Sequence, residues 1–493
     1  MRFAKSVLAL ASLCASCMAP AAVPTLRPGL PLIFPDDHNI EARTNAVRVF
    51  HVAACDRSPA LVADRPWEGV AHVYGSVNQE PDGTWRMWYN AWSMTLVADS
   101  KDGKTWTKPI FNVYNVKGHP TNNVVFIGHH SPAVIRDPFD KDPSRRYKCV
   151  GARLVMPSFG VVDKKQTGYY AAISPDGVHW SRDRKILDCC DTVTMAQNPY
   201  TGEYLVYHKV LAPLDQRYEE RRIVWVSRST DFEHWSKPQI ALAPDEIDDE
   251  GWIDSPDQRT DIYDMPVFSH AGGFIGFPTV FRISSRYPFG PGAKFQADSR
   301  HFMDDGFIDV QLATSADGVE WHRTPGRKTV IRNGAPDSID FGQIPGIAGG
   351  TPLTVGDETS LYYYAINKTH GKVMERGCRL CIGRATWRRW GFASLGCGSE
   401  TGSFTTKPIA LGTGDLRINM KPESDPRRRG ESWVRLTALS PEDKTLGETE
   451  KISGDDVLAK PVWKNGFAPP VGRRIKLRVE FRCASVYALE CVR

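Results

Sequence analysis

The feature that most restricts the fold is a seven-residue phrase written four times. It reads "SKDGKTW" at 100–106, "SPDGVHW" at 174–180 and "SADGVEW" at 315–321, with a worn copy, "STDFEHW", at 229–235. The copies begin 55 to 86 residues apart, so the phrase marks a repeated structural context with insertions of varying length. Each copy follows three runs rich in β-branched and aromatic residues; before "SPDGVHW" these are "PAVIRD", "RYKCVGARL" and "TGYYAAIS". Such runs favour strands. Asp-Gly supplies the positive φ that a two-residue hairpin needs, Ser and Asp satisfy turn backbone groups, and the Trp opens an outer strand and fills the gap to a neighbouring sheet. Strand, turn, strand, loop, strand, Ser-x-Asp-Gly turn, outer strand is a four-stranded antiparallel sheet. Four such units make blades of a propeller.

A fifth unit keeps the strands and loses the turn: "GTPLTVG", "SLYYYAIN", "CRLCIGRATW" and "GFASLG". The expected fold is therefore all-β, a five-bladed β-propeller over 36–400. From 401 to 493 the repeat stops and short strands such as "RRIKLRVEFRC" and "SVYALECV" fit a small C-terminal β-sandwich. The competing reading is a β-sandwich throughout, with coincidental turns.

The first 22 residues read as a secretory signal peptide. Arg2 and Lys5 precede an apolar run from Val7 to Leu13, and Ala19-Pro20-Ala21 offers small residues for cleavage. A secreted or periplasmic protein is expected, with no membrane insertion. A net charge of +5 gives no footprint for nucleic acid. Of the 11 cysteines, Cys14 and Cys17 fall in the leader. Cys483 and Cys491 could pair across the last two strands, Cys189-Cys190 reads as structural, and Cys378 and Cys381 form half a zinc knuckle with no second half. No metal site is expected. The basic cluster "DPRRRG" at 425–430 reads as a solvated turn.

With blades, turns and tail in place, the chain resembles the five-bladed propeller glycoside hydrolases, the superfamily of glycoside hydrolase families 32, 43 and 68. The resemblance is carried by "PWEGVAHVYGSV…GTWRMWY" (66–89), "HSPAVIRDPFDKDPSRRYK" (130–148), "GYYAAISPDGVHW" (168–180), "DIYDMPVF" (261–268), "DGFIDVQLATSADGVEW" (305–321) and "IGRATWRRWGFASL" (382–395). It implies hydrolysis of a poly- or oligosaccharide with no required cofactor, and it leaves room for a structural calcium ion at the axis. Glycosidase chemistry needs two carboxyl groups flanking one bond, one of them an acid with a raised pKa.

Alternating strand direction sorts the candidates. Loops leading into the first strand of a blade and loops between its second and third strands open on one face; the Ser-x-Asp-Gly turns lie on the other. Arg136-Asp137-Pro138 matches a family-32 signature in letters, but Asp137 ends an inner strand and so falls on the turn face. The leading loops carry Asp64 and Glu68, His129 and His130, Asp188 and Asp191, Asp261 and Asp264, and Asp337 and Asp340. From these, Glu68, Asp191 and Asp261 are expected to be catalytic. Asp261, flanked by Ile262 and Tyr263, is the expected general acid, although relatives place a glutamate there. Trp67, Trp92, His208, Lys209, Asp264, Arg282 and Asp305 are expected to bind substrate. Three alternatives stay open: a non-catalytic carbohydrate-binding propeller; a sialidase, whose repeat is one residue longer; and a sugar phosphorylase, which Lys209, Arg282 and Arg286 would serve.

Overall fold

The computed structural model describes residues 23–155, 163–188, 191–212, 221–255, 258–288, 302–422 and 432–493. The leader, Cys189-Cys190 and the 425–430 cluster lie outside the described residues. Blade I consists of His72–Gln79, Trp85–Ala91, Met94–Ser100 and Val124–Ile127. Blade II is His130–Arg136, Tyr147–Arg153, Gly168–Ser174 and Ser181–Leu187; blade III is Val193–Gln197, Tyr204–Ala212, Arg221–Ser229 and Gln239–Leu242. Inner positions are apolar and buried while the outer strand Ser181–Leu187 is largely exposed, the pattern expected of a sheet covered on both faces only near its hub.

Blade IV is interrupted across three of its strands. Its inner strand is Arg259–Asp264 then Val267–His270, its second Gly273–Gly276 then Thr279–Pro288, and its third Phe302–Val310 then Ala313–Ser315. Pro266 and Pro278 face each other at the break, and neither has an N–H to give the ladder. Their carbonyls instead receive the amides of Phe277 (2.9 Å) and Gln311 (3.0 Å).

Blade V contains Leu353–Val355, Glu358–Ile366 and Leu380–Arg388, and its outermost strand is Ala54–Cys55 from the other end of the chain. The segment "GFASLG" does not close this blade. Ala393–Gly396 pairs instead with Val47–Phe50 and with Ala484–Val492, inside the sandwich. The sandwich also takes Thr25–Leu26, Leu32–Ile33 and Ile40–Thr44, so its strands come from both sides of the propeller rather than from 401 onward, and 36–50 leaves the propeller. Its core joins Leu26 and Phe34 to Phe404, Leu477, Phe481 and Leu489.

The repeated phrase forms a longer loop than a two-residue hairpin. In blade II the loop runs from Ser174 to Ser181: Ser174 Oγ accepts the Gly177 amide (2.9 Å), and Asp176 Oδ1 accepts those of Val178 (2.9 Å) and His179 (2.8 Å). The same three bonds recur at Ser100/Asp102, Ser229/Asp231 and Ser315/Asp317. The glycine then docks on the second strand of the preceding blade. Gly177 O accepts from Trp88 Nε1 (2.8 Å), Gly318 O from Tyr207 Oη (2.7 Å), and Gly103 O from Tyr362 Oη. A Cβ on Gly177 would stand 2.7 Å from Trp88. In the worn copy Phe232 holds the same positive φ, 64°, and its ring packs in the core between blades II and III, with Ile135 and Val150 on one side and Tyr204 on the other. The repeat is thus a staple between neighbouring blades.

Cys483 and Cys491 do not pair. They flank and end one strand, Ala484–Val492, which sets them roughly 25 Å apart at about 3.3 Å per residue.

Candidate active site

Inner strands of successive blades touch around a shared axis, and Gly349–Gly350 lies parallel to the inner strand of blade I among those of blades II, III and IV. In blade II, Arg136 pairs with Tyr147 and Tyr147 with Ser174, which puts Asp137 at the turn end. Asp137 is buried there, bonded to Gln197 Nε2 (2.9 Å), Tyr204 and Lys148 (3.2 Å).

The opposite end of the axis gathers a polar cluster. Asp191, just ahead of the inner strand of blade III, has its carboxylate 2.6 Å from Lys209 Nζ and 4.0 Å from His130 Nε2. Its side chain is 41% exposed, so the carboxylate reaches solvent at this end of the axis. Burial pushes its pKa up, but Lys209, His130 and Arg222 outweigh that and hold it below the ordinary 3.8. Lys209, from the second strand of the same blade, is buried and lies over the Tyr263 ring at 3.3 Å. Asp264 ends the first half of the blade IV inner strand, at the proline break. It is 3% exposed, and its Oδ2 is buried without a hydrogen-bond partner among the described residues. Desolvation is the main reason its pKa rises to about 7; Lys209, the Met265 amide and Thr192 pull the other way, and Asp191 adds to the rise.

Aromatic rings complete the floor. Tyr74 stands 5.2 Å from His130 and 5.5 Å from Tyr364, and His72 stacks on Tyr364 at 4.8 Å. Burial, with Tyr263, Tyr364, Asp191 and Asp264 beside it, drives the Tyr74 hydroxyl pKa well above 10.0, so it is a neutral donor. Burial drops His72 to about 3, which keeps that ring uncharged.

The sequence-based candidates separate on this frame. Asp191, Lys209 and Asp264 meet at the axis. Asp261 lies behind them, fully buried, with Oδ2 on Arg222 (2.8 Å) and Oδ1 on Arg259 (3.2 Å); both arginines also reach Asp304, at 2.9 and 2.8 Å. Both Asp261 oxygens are thereby occupied, and the register shift between Ile262 and Asp264 turns Asp264 toward the hub. Glu68 is away from the inner strands and fully buried. It accepts from Tyr89 Oη (2.5 Å), Lys108 Nζ (2.8 Å) and the amides of Asp64 (2.9 Å) and Arg65 (3.1 Å), the environment of a fold-holding carboxylate. Trp67 is buried too, its Nε1 on Asn123 (2.9 Å).

His208 is buried between blades, 5.2 Å from the Tyr169 ring, and burial lowers its pKa to about 4. Arg282 bridges to Asp309 (2.7 Å), and Asp305 accepts the Gly371 amide (2.9 Å), which fixes the turn His370–Lys372. Trp92 is exposed on the loop between the second and third strands of blade I. Sequence reasoning passed over Tyr74, Tyr263 and Arg222 as site residues; the aromatic at mid-strand in "HVYGSV" is a signal only once the axis is known. Among the described residues no cluster of His, Cys, Asp and Glu could hold a metal ion.

A scan of protein-family profiles and a search of curated protein sequences gave no match. Solved structures do resemble the chain. One is described with the GH130 family of mannoside phosphorylases and its glycoside hydrolases that target β-1,2 mannosidic linkages in Candida mannan: 14% identity, 69% of this chain, 94% of that one, TM-score 0.42. A GH32 β-fructofuranosidase from Bombyx mori has 10% identity over 86% of this chain and 93% of its own, with a TM-score of 0.37. An endo-arabinase from Bacteroides thetaiotaomicron has 14% identity over 68% and 96%, with a TM-score of 0.36. Likeness at this level carries no argument about chemistry, which rests on the residues of this chain.

Proposed function

We propose that the protein is a glycoside hydrolase acting on a poly- or oligosaccharide, with Asp264 as general acid and Asp191 as its ionised partner. The observation that carries this reading is the pair itself: two carboxyl groups at one axis whose surroundings push their pKa values in opposite directions. That split is what acid and base roles at one bond require. Asp264, half protonated near pH 7, gives its proton to the glycosidic oxygen as the bond to the anomeric carbon breaks. Asp191, held negative by Lys209 and His130, stabilises the positive charge that develops on the sugar and serves as base or nucleophile. Lys209 fixes Asp191 from below while the Tyr263 ring seats its ammonium. The sequence leader supports action outside the cytoplasm.

The test is release of reducing sugar from a panel of plant and algal polysaccharides by wild type, Asp191→Asn and Asp264→Asn. Loss of general acid catalysis costs about 10²–10⁴-fold, so both variants should fall at least about a hundredfold. Either variant matching wild type removes its residue from the mechanism.

A further inference from the structure

Three aromatic residues among those described have positive φ: Trp92 (57°), Phe232 (64°) and Trp390 (51°). A bulky side chain is unfavourable in that region, and the conformation persists where the surroundings compensate for it. Phe232 and Trp390 are compensated by packing, at 2% and 5% exposure. Trp92 is 62% exposed, and no hydrogen bond or ring contact with the described residues holds its indole.

Its position sharpens the contrast. Ala91 pairs with Met94, so Trp92 and Ser93 form a two-residue hairpin turn. Only the first of the two has positive φ, the pattern of a type II′ turn, whose first position belongs to glycine. At 62% exposure, packing does little to offset that conformation for a tryptophan. The turn also sits at the open end of the axis. Asn90 pairs with His72, His72 lies 6.0 Å from His130, and His130 is 4.0 Å from Asp191. Gly69, in the loop leading into the same blade, lies beside the ring: a Cβ there would make ordinary contact, 3.6 Å, with the indole Nε1.

We infer that Trp92 is a stacking platform for a sugar ring of an extended glycan, a subsite at the open end of the axis beyond the carboxylate pair. The inference rests on the axial reading for the direction in which the chain leaves the site. An indole face and the C–H face of a sugar ring are complementary, both flat and apolar with polar edges. Such a subsite selects polymers and longer oligosaccharides over single glycosides, because only they span from the carboxylate pair to Trp92.

Affinity electrophoresis in gels containing arabinan, xylan, laminarin or alginate tests this on the full chain, with Trp92→Gly, Trp92→Tyr and Asp264→Asn beside wild type. At least one polysaccharide should retard wild type. Trp92→Gly should bind it about tenfold more weakly, Trp92→Tyr should recover most of the retardation, and Asp264→Asn should be retarded like wild type. The melting temperature supplies the second readout. Trp92→Gly should melt about 1–2 °C higher, since glycine relieves the strained turn, whereas loss of a merely structural tryptophan lowers it. Unchanged retardation in Trp92→Gly, a lower melting temperature, or a wild type retarded by none of the four overturns the inference. If Asp264→Asn binds but hydrolyses as fast as wild type, the platform stands and the assignment of the acid falls.

Discussion

Asp264→Asn makes a sharp prediction about stability as well as rate. In the folded protein the Asp264 carboxyl titrates at about 7, against an ordinary 3.8. Between those values the native state holds a proton that the unfolded chain has released, so ionisation opposes folding as pH rises. The slope is about −1.4 kcal/mol per pH unit, present from near pH 4 and exhausted above pH 7, for a total of about 4 kcal/mol. The group is 3% exposed, so solvent screens little of this. Asparagine cannot ionise, and the variant should gain on wild type by about 4 kcal/mol between pH 4 and pH 8. Urea denaturation at pH 4, 5, 6, 7 and 8 reads the difference. Buried neutral His72, His208 and His370, with pKa values near 3, 4 and 4, destabilise both proteins equally as pH falls and cancel. Asp191, with its pKa lowered, contributes stability that is lost only on the acid side of 3.8. If the two stability curves run parallel from pH 4 to pH 8, Asp264 is not the protonated carboxyl described here.

The same shifts set the rate profile: kcat/KM should fall above about pH 7 as Asp264 loses its proton, and its acid limb, set by Asp191, should lie below 3.8. Glu68→Gln should lower stability by about 3 kcal/mol through the broken Lys108 pair, while kcat/KM stays within a few-fold of wild type. Arg222→Met leaves Asp261 and Asp304 with one guanidinium between them and should cost about 3–5 kcal/mol in chemical denaturation. Ser174→Ala removes the hydroxyl that holds the Gly177 amide inside the loop docked between blades I and II and should cost about 1 kcal/mol in chemical denaturation.

The propeller was legible because most of its signals are local: blades I to IV each spell their strands and their staple in one continuous stretch, and only blade V borrows its outermost strand from far away. The sandwich was legible only at its C-terminal part. Thr25–Leu26 and Leu32–Ile33 are two residues long, with no periodicity to read, and their partners lie hundreds of positions away. The axial position of Asp191 could be read because it stands where an inner strand begins. Sequence put Asp261 ahead of Asp264 as the acid, because the slip in register between them belongs to the pairing with Thr279–Pro288 and leaves no trace in one strand. Glu68 misled because Lys108, 40 residues on, claims it in the fold.

The outermost strand of blade V has a consequence for assembly. Ala54–Cys55 waits for Leu380–Arg388, and Leu32–Ile33 waits for Ala484–Val492, so the earliest-made part of the chain finds its partners last. A ribosome-bound intermediate therefore carries unpaired leading strands for nearly the whole of synthesis. Such long-range closure is slow and leaves strand edges open to the wrong neighbour. Removing the final strand would deprive residues 32–33 and 393–396 of a shared partner at once, so the appendage would lose strands from both ends of the chain together.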